Sequence, residues 1–376
     1  MEATHPGALE GARARERQGT AIKKGVWGVI EDRLGLRALS YPVPAHANGL
    51  LYTLGGITFI TLLVLVATGV LLAQFYNPSP DVATDSVGYI MTQVPLGDFL
   101  RGIHFWAANV LVVLMILHVV RVFVTGAHKA PREANWFVGL GLLALVIGFL
   151  FTGTVLKWDQ EAYEALQHNK EISELLGTLG AFFSGGFTSS VPLLVRLYVA
   201  HIAMLPVLLV FLAIAHFFLI KHHGMSPLPS DARAVRTGEG KQSYGESLVP
   251  YNSHVRTMVG WGLVAFAVVA AAAFFLKPEL GPKPTPGIEV TKPMWMFLWL
   301  YSIEDWLGIR GLIYAPAALF ALLALVPFVD RGPFRAPSKR KAMMGAGALL
   351  LLVLVGLVIY AEFSTPVAHT LMEGGM

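Results

Sequence analysis

Cysteine is absent from the 376 residues of this chain, and charge is scarce. Without cysteine the chain forms no disulfide, binds no zinc or iron–sulfur cluster through thiolates, and carries no thioether-linked group. Charged residues make up 14% of the sequence and hydrophobic residues 55%. Because soluble domains carry about a quarter of charged residues, this balance indicates a protein embedded in lipid. Any metal must then be held by histidine, methionine or carboxylate side chains.

Apolar runs of about 20 residues recur along the chain and predict an all-α integral membrane protein. The seven predicted transmembrane helices are 50–76, 101–126, 136–156, 194–221, 257–276, 313–329 and 342–361. The sixth is short for a hydrocarbon core of roughly 30 Å. The predicted domains are a polar N-terminal segment with an interfacial helix (1–49), a four-helix domain (50–227), a linker (228–256) and a three-helix domain (257–376).

Charge alternates between the loops on the two sides of the predicted bundle. The loops after the second, fourth and sixth spans are basic, whereas the loop after the first carries Asp81, Asp85 and Asp98. The positive-inside rule therefore predicts a cytoplasmic N-terminus and a C-terminus on the opposite, positive side. The long loops after the third and fifth spans, also on the positive side, are predicted to be lids.

Only four of the twelve histidines fall inside predicted spans: His104 and His118 in the second, His201 and His216 in the fourth. An ionisable residue within lipid indicates a functional site by default. The 14-residue spacing in the second span directs both rings to one face, about 21 Å apart along the axis. The 15-residue spacing in the fourth runs about 60° past four turns, which tilt or a kink at Pro206 would absorb.

The second and fourth spans run in the same direction, so their histidines are predicted to face each other at two depths. His104 would lie level with His201, and His118 with His216. Two facing imidazoles at each depth are the ligand set of two bis-histidine haems. A single such histidine is as readily a hydrogen-bonded polar residue of the bundle, but two matched pairs favour haem.

Glycines repeat with the same 14-residue period in the first and third spans, as Gly55 and Gly69 and as Gly139 and Gly153. A glycine lets a flat macrocycle approach the helix backbone, so these spans are predicted to line the haem pockets. The alternative is ordinary packing of helices through small residues.

Two arginines, Arg101 and Arg121, flank the predicted haem levels in the second span. Each is positioned to neutralise a haem propionate. Arginines that snorkel from helix ends to the membrane surface give the same pattern.

The motifs from about residue 25 to 227 resemble the cytochrome b of quinol-oxidising bc and bf complexes. They read LGGIT…ATG, VGYIMT, RGIHFW, LHVVRVFVTGAHKAPRE, TG…WDQ and H…P…HFFLIKHHG. They are most similar to the four-helix bf-type cytochrome b, and the last three spans resemble its separate three-helix subunit, fused here into one chain. The resemblance implies that His104 and His201 bind the positive-side haem iron, and that His118 and His216 bind the negative-side one.

The resemblance also implies two quinone sites. In that family quinol is oxidised on the positive side, with one electron passing to a Rieske iron–sulfur protein and one to the haem pair. A second quinone is reduced on the negative side, by position near Lys221, His222, His223 and Arg121. The protonatable residues of KHHG suit proton delivery, although they are equally ordinary members of a basic loop.

This sequence departs from the family in three places. Thr53 stands where the bf-type protein attaches an extra haem through cysteine, so we expect no covalent haem on this chain. The family's Pro-Glu-Trp-Tyr motif of the quinol pocket reads Pro293, Met294, Trp295 and Met296. Its Pro-Trp-Asp-Gln motif reads Lys157, Trp158, Asp159 and Gln160. Methionine accepts no proton, and a lysine disfavours a further proton nearby.

The candidate residues of the altered positive-side pocket are Trp158, Asp159, Trp295 and Glu304. Glu304 and Asp305 would replace the missing proton acceptor, or they are a solvated pair in a loop. The departures leave the predicted haem ligands untouched.

We therefore predict a dihaem cytochrome b with two non-covalent haem b groups, in a bc-type complex of the bacterial inner membrane. The expected partners are membrane lipid, quinone or quinol, a Rieske iron–sulfur protein and a c-type cytochrome or other redox subunit. Relatives are dimeric, so a dimer is expected from the resemblance. We expect no nucleic-acid partner.

Two alternatives remain open from the sequence. In the first, a derived cytochrome b has lost its positive-side quinol site and exchanges electrons directly with partner subunits. In the second, the intramembrane histidines form the relay of a helical proton-coupled transporter. The inverted repeats and broken helices typical of transporters are not evident in the sequence.

Overall fold

The computed structural model describes residues 41–229 and 247–369, together with Val29 and Arg33. Most of the predicted interfacial helix, and the basic residues Arg233, Arg236 and Lys241, lie outside these ranges. The described chain is almost entirely helical. Its single sheet, within the described ranges, pairs β1 (Pro42–Pro44) antiparallel to β2 (Leu248–Pro250).

Seven helical segments among the described residues are long and apolar enough to cross a membrane, which confirms the predicted number. The helices are α1 (Leu50–Leu72), α2 (Ala83–Thr92), α3 (Gly97–Val124), α4 (Glu133–Leu156), α5 (Gln160–Leu175), α6 (Leu193–His223), α7 (Tyr251–Phe275), α8 (Leu298–Leu307), α9 (Gly311–Val329) and α10 (Lys341–Phe363). α7 begins six residues earlier than predicted, because it follows β2 directly and Tyr251 stacks on Tyr41 with ring centroids 4.7 Å apart.

The histidine-bearing helix α6 contains a turn of π-helix at Ala200–Met204, between α-helical Leu193–Val199 and Leu205–His223. A π turn holds one residue more than an α turn. The 15-residue separation of His201 and His216 therefore brings both rings to one face, as 14 residues do in a regular helix. The extra residue is absorbed by this π turn rather than by overall tilt. Pro206, which lacks an amide hydrogen, follows immediately.

The helices of the first half pack as two pairs, α1 with α3 and α4 with α6. α7 packs against α1 and α3 through buried Val269 and Ala273, and α9 packs against α4. At one crossing, a Cβ on Gly102 would lie 3.1 Å from the Cβ of Ala273, so this close approach requires glycine. Of the last three membrane helices, α7 and α9 thus pack against the first four, whereas α10 packs mainly against α8. The domain boundaries drawn from the sequence stay a prediction.

A buried ionic cluster joins the two halves where α3 meets α4 and α9 meets α10. The carboxylate of Asp330 lies 3.1 Å from His128 Nε2, 2.7 Å from Lys129 Nζ and 2.7 Å from Arg340 Nε. Burial alone would raise the pKa of Asp330, but these three groups hold it well below its usual range. The predicted basic loops are thus, at this point, a structural junction rather than a solvated surface.

Polar segments cover the opposite end of the bundle. We call α5, the 276–294 loop, α8 and residues 364–369 the cover. The loop is held by α5: Gln160 Oε1 accepts from Thr285 N at 2.6 Å, and Glu164 accepts from the amides of Val290 and Thr291, both at 3.0 Å. The two loops predicted as lids therefore bind each other over this end.

Candidate functional site

The structure brings the four intramembrane histidines together in two pairs. His104 lies close enough to His201 to interact electrostatically, and His118 is likewise near His216. Of their helices, α3 packs mainly against α1, and α6 packs mainly against α4. The paired imidazoles thus face each other across the seam between two helix pairs. Their role as iron ligands stays a prediction.

Each imidazole lies against one of the four glycines singled out in the sequence. A Cβ added to Gly55 would lie 2.9 Å from His118 Cε1, and one on Gly69 would lie 3.3 Å from His104 Cε1. The other two meet the histidines of α6, at 3.2 Å for Gly153 and His201 and at 3.8 Å for Gly139 and His216. The glycines of α1 and α4 therefore give space at the four rings. This is a closer relation than general packing of small residues.

Two threonines, which the sequence analysis missed, set the tautomers at one level. Thr68 Oγ1 lies 2.9 Å from His104 Nδ1, and Thr152 Oγ1 lies 2.8 Å from His201 Nδ1. Each hydroxyl donates its own proton to a carbonyl of its helix, so its oxygen accepts from the Nδ1–H. Nε2 of each ring is then left with a free lone pair, the form that ligates a metal. The repeated Thr–Gly dipeptides at 68–69 and 152–153 were the available signal.

At the other level, polar atoms remain without partners. Among the described residues, buried His216 Nδ1 and buried Arg121 Nε have no hydrogen-bond partner. The Arg121 guanidinium also lies 4.0 Å over the ring of Tyr52 and near His118. A guanidinium with an unpaired Nε beside these imidazoles suits a planar group that bears anionic side chains. The residues present therefore fit b-type haem.

Arg101, the other predicted propionate partner, makes bonds elsewhere. Its guanidinium donates to Pro278 O at 2.6 Å and to Glu279 O at 3.2 Å. Arg101 therefore fixes the start of the 276–294 loop to α3. Its proposed contact with a propionate stays a prediction.

The Lys157–Gln160 motif lies where α4 passes into α5. Trp158 adopts a left-handed backbone (φ 52°), with its indole Nε1 donating to Pro80 O at 2.8 Å and its carbonyl accepting from Thr84. Asp159 caps α5 through Ala162 N at 3.1 Å and accepts from Gly281 N at 3.0 Å. Asp159 thus holds the cover together.

A second carboxylate beside the altered quinol motif escaped the sequence analysis. Glu161 Oε1 accepts from the backbone N of Met294 at 3.0 Å, and Glu161 is ion-paired with Lys157. Burial raises the pKa of Glu161 above its usual value, although Lys157 pulls it back in part. Trp295, in the same motif, donates from Nε1 to Asn109 Oδ1 on α3 at 2.7 Å. Glu161 therefore brings a carboxylate to the place where the motif lacks one.

Glu304 is not a solvated loop residue; that alternative is wrong. It is 3% exposed on α8 and faces His168, with Glu304 Oε1 3.2 Å from His168 Nε2. Asp305 Oδ1 accepts from His369 Nε2 at 2.8 Å. Burial alone would lower the pKa of His168, but contact with Glu289 and Glu304 raises it to about 10. The part of the cover around Glu289 and Glu304 therefore favours a cation between these two carboxylates.

The predicted negative-side residues cluster at the end of α6. Lys221 and His222 are exposed, and the His222 ring stacks on Phe218 with centroids 5.9 Å apart. The carbonyl of His223 accepts from Arg132 at 3.1 Å, which ties α6 to the loop before α4. The KHHG residues thus lie at the end of a helix that is long and apolar enough to cross a membrane, and their quinone role stays a prediction.

Comparisons with known proteins match this chain to one family. The model of the family described as cytochrome b/b6/petB matches residues 38–224. The cytochrome b6 of Heliobacterium mobile is 38% identical over 206 residues, 54% of this chain and 94% of that protein. The cytochrome b6 of Gloeobacter violaceus is 38% identical over 210 residues, 54% of this chain and 97% of that protein.

A chain of a solved structure described as "Hyperthermophilic respiratory Complex III" shares the fold. The TM-score is 0.75 at 23% sequence identity, over 89% of this chain and 91% of that chain. The sequence relatives thus cover the first half of the molecule, whereas the likeness in fold extends over both halves.

Proposed function

Because this chain belongs to the cytochrome b/b6 family, we propose that it is the dihaem cytochrome b of a bc-type quinol-oxidising complex. The family itself implies haem b binding and electron transfer across the membrane. The finer proposal is that His104 and His201 hold one haem and His118 and His216 hold the other. The observation that carries it is the pairing of four imidazoles at two levels, each ring against a glycine.

The chain supplies positions and protonation states for these groups. A bound b-type haem takes up and releases single electrons. Thr68 and Thr152 keep Nε2 of His104 and His201 unprotonated for iron. Arg121 offers an unpaired donor to an anionic group near His118. In the second half, α7 packs against α1 and α3, α9 packs against α4, and α8 forms part of the cover.

We further propose that quinol is oxidised under the cover, with Glu161 as the proton acceptor. Met294 cannot accept a proton, but Glu161 reaches its backbone nitrogen at 3.0 Å and is buried. A raised pKa suits a group that takes a proton from quinol near neutral pH. Lys157 balances the carboxylate before it is protonated. Trp158 and Trp295 would wall this pocket, Asp159 would fix its rim, and Glu304 lies in the adjoining part of the cover.

On the opposite side, a second quinone would be reduced near the end of α6. Lys221 and His222 are exposed there and would be the side chains nearest the reduced quinone. His223 is half-buried beside them. Electrons would pass to a Rieske iron–sulfur protein and a c-type cytochrome on the positive side. We place the complex, as a dimer, in a bacterial inner membrane with the N-terminus cytoplasmic.

The rival function is a derived cytochrome b without a working quinol pocket, and the loss of the motif's glutamate at Met294 favours it. The purified complex would be mixed rapidly with quinol, with and without an inhibitor of the positive-side site. We expect inhibitor-sensitive reduction of haem b together with reduction of the Rieske protein. If haem b were reduced equally well with and without the inhibitor, the derived cytochrome b without a quinol pocket would be favoured. Absence of b-type haem from a pyridine haemochrome spectrum would overturn both.

A further inference from the structure

A compact set of metal-ligating side chains lies in the cover and takes no part in the function proposed above. It joins four segments distant in sequence: His168 on α5, Glu289 in the 276–294 loop, Glu304 on α8 and His369 beyond α10. One donor atom from each of His168, Glu289 and His369 lies within 4.8 Å of the other two. We propose that these four residues bind a structural zinc ion.

The distances fit ligands around an ion better than direct ion pairs. His168 Nε2 lies 3.3 Å from Glu289 Oε1 and 3.2 Å from Glu304 Oε1, and His369 Nδ1 lies 3.4 Å from Glu289 Oε1. Charge-assisted hydrogen bonds between nitrogen and carboxylate are shorter, about 2.7–2.9 Å. Ligands 2.0–2.1 Å from a tetrahedral zinc are about 3.3 Å apart. The fourth contact, His369 Nδ1 to Glu304 Oε2, is 3.9 Å.

Two of the donor atoms lack hydrogen-bond partners although they are buried. The side chains of Glu304 and His369 are 3% and 6% exposed. Among the described residues, Glu304 Oε1 and His369 Nδ1 have no hydrogen-bond partner. Glu304 Oε1 lies 3.2 Å from His168 Nε2, but this contact does not have the geometry of a hydrogen bond. Buried polar atoms are rarely left so, and a bound cation would satisfy them.

The ring nitrogens that face away from the proposed zinc are hydrogen-bonded, which orients His168 and His369 as metal ligands. His168 Nδ1 lies 2.8 Å from the carbonyl of Glu164, and His369 Nε2 lies 2.8 Å from Asp305 Oδ1. These acceptors take the second ring N–H. The other nitrogens, His168 Nε2 and His369 Nδ1, face the carboxylates, and a zinc ion would displace the protons that these nitrogens carry. A carbonyl or carboxylate behind a ligating histidine is the usual outer shell of a zinc site.

Four protein ligands leave no open position, so the ion would be structural rather than catalytic. Nitrogen and oxygen donors suit zinc, and the chain has no thiolate to offer. The ion would hold the segment after α10 and the 276–294 loop against α5, the helix that also carries Glu161. Its effect would be on the rigidity of the cover.

The test is metal analysis of the full-length protein, purified from zinc-supplied cells without chelator. We expect about one zinc per chain, with four nitrogen or oxygen ligands at about 2.0–2.1 Å in X-ray absorption spectra. Glu304→Gln and His168→Gln should lose the ion, whereas Glu362→Gln, which removes an exposed carboxylate near the same end, should keep it. Asp305→Asn should weaken zinc binding about 10–100-fold.

Wild-type protein gives a second readout that does not depend on any variant folding. Stripping with a chelator should lower the melting temperature, and one equivalent of zinc should restore it. Helical content by circular dichroism checks that each variant is folded. The proposal is overturned if the protein binds no zinc and its melting temperature is unchanged by the chelator. It is equally overturned if zinc survives in the Glu304→Gln, His168→Gln double variant, or if another metal fills the site.

Discussion

The interior of the bundle and the cover at its end are built in different ways. In the interior one arrangement is repeated: a glycine on α1 or α4 faces a histidine on α3 or α6, at two levels and in two helix pairs. The cover has no repeat and joins segments far apart in sequence through carboxylates, as Glu161 does with Met294. The interior is therefore fixed by helix period, whereas the cover is fixed by individual polar contacts.

The largest predicted effect is the loss of one of the two haems from the interior of the bundle. His216→Leu removes one of two facing imidazoles, so the iron at that level loses a ligand. We expect haem b content to fall to about half of the wild-type value, with one low-spin centre left at His104 and His201. Pyridine haemochrome and electron paramagnetic resonance spectra measure this. His222→Leu, at the exposed end of the same helix, is the control for haem content; two intact centres in His216→Leu would contradict the assignment.

The second largest predicted effect comes from a variant that should impair the cover but leave haem binding in the interior intact. Glu161→Gln removes the carboxylate beside Met294 while leaving the haem ligands in place. Quinol-dependent reduction of haem b should slow about 100-fold, the loss typical of removing a general base. Rapid mixing gives the rate, and optical spectra should show unchanged haem content. Glu174→Gln, at an exposed position of α5, should keep the wild-type rate. A normal rate in Glu161→Gln would show that the proton leaves by another route.

A smaller effect tests whether the glycine repeat serves the histidines or only helix packing. In Gly153→Ala the new Cβ would lie 3.2 Å from His201 Cε1, closer than ordinary contact. In Gly148→Ala on the same helix it would lie 3.6 Å from a flexible leucine side chain, Leu205. We expect only Gly153→Ala to disturb the haem spectrum, at a cost of about 1–3 kcal/mol in stability. If both variants behaved alike, the glycine repeat would be explained by helix packing alone.

The smallest predicted effect is a shift with pH in the cover. Lys157→Met removes the cation that partly offsets the raised pKa of Glu161, so that pKa rises further. The unprotonated carboxylate would then exist only at higher pH. The acidic limb of the pH profile for quinol oxidation should move upward by about one pH unit. A downward shift, or none, would place Glu161 outside the reaction.

The sequence predicted more of the interior than of the cover. The seven spans and the separation of the histidines follow from apolar length and helical period. The π turn at Ala200–Met204 did not, because a 15-residue spacing fits tilt, kink or bulge equally well. Thr68 and Thr152 were missed because a threonine in a membrane helix usually bonds to its own backbone, as these also do.

The cover escaped sequence analysis in larger part. Glu161 was not singled out, since nothing in its local pattern marks contact with a residue 133 positions away. Glu304 gave no sign of burial, because its partners His168 and His369 come from other segments. Long-range polar contacts have no period by which they can be recognised in advance.

A seven-helix membrane protein with two levels of paired histidines follows from the amino-acid sequence alone. A bilayer forces backbone hydrogen bonds into helices, and helical period fixes which side chains share a face. Which carboxylates contact Met294 and His168 became clear only from the folded chain. These contacts depend on how loops from both halves fold over one end of the bundle. At that end, side-chain chemistry rather than helix geometry selects the contacts.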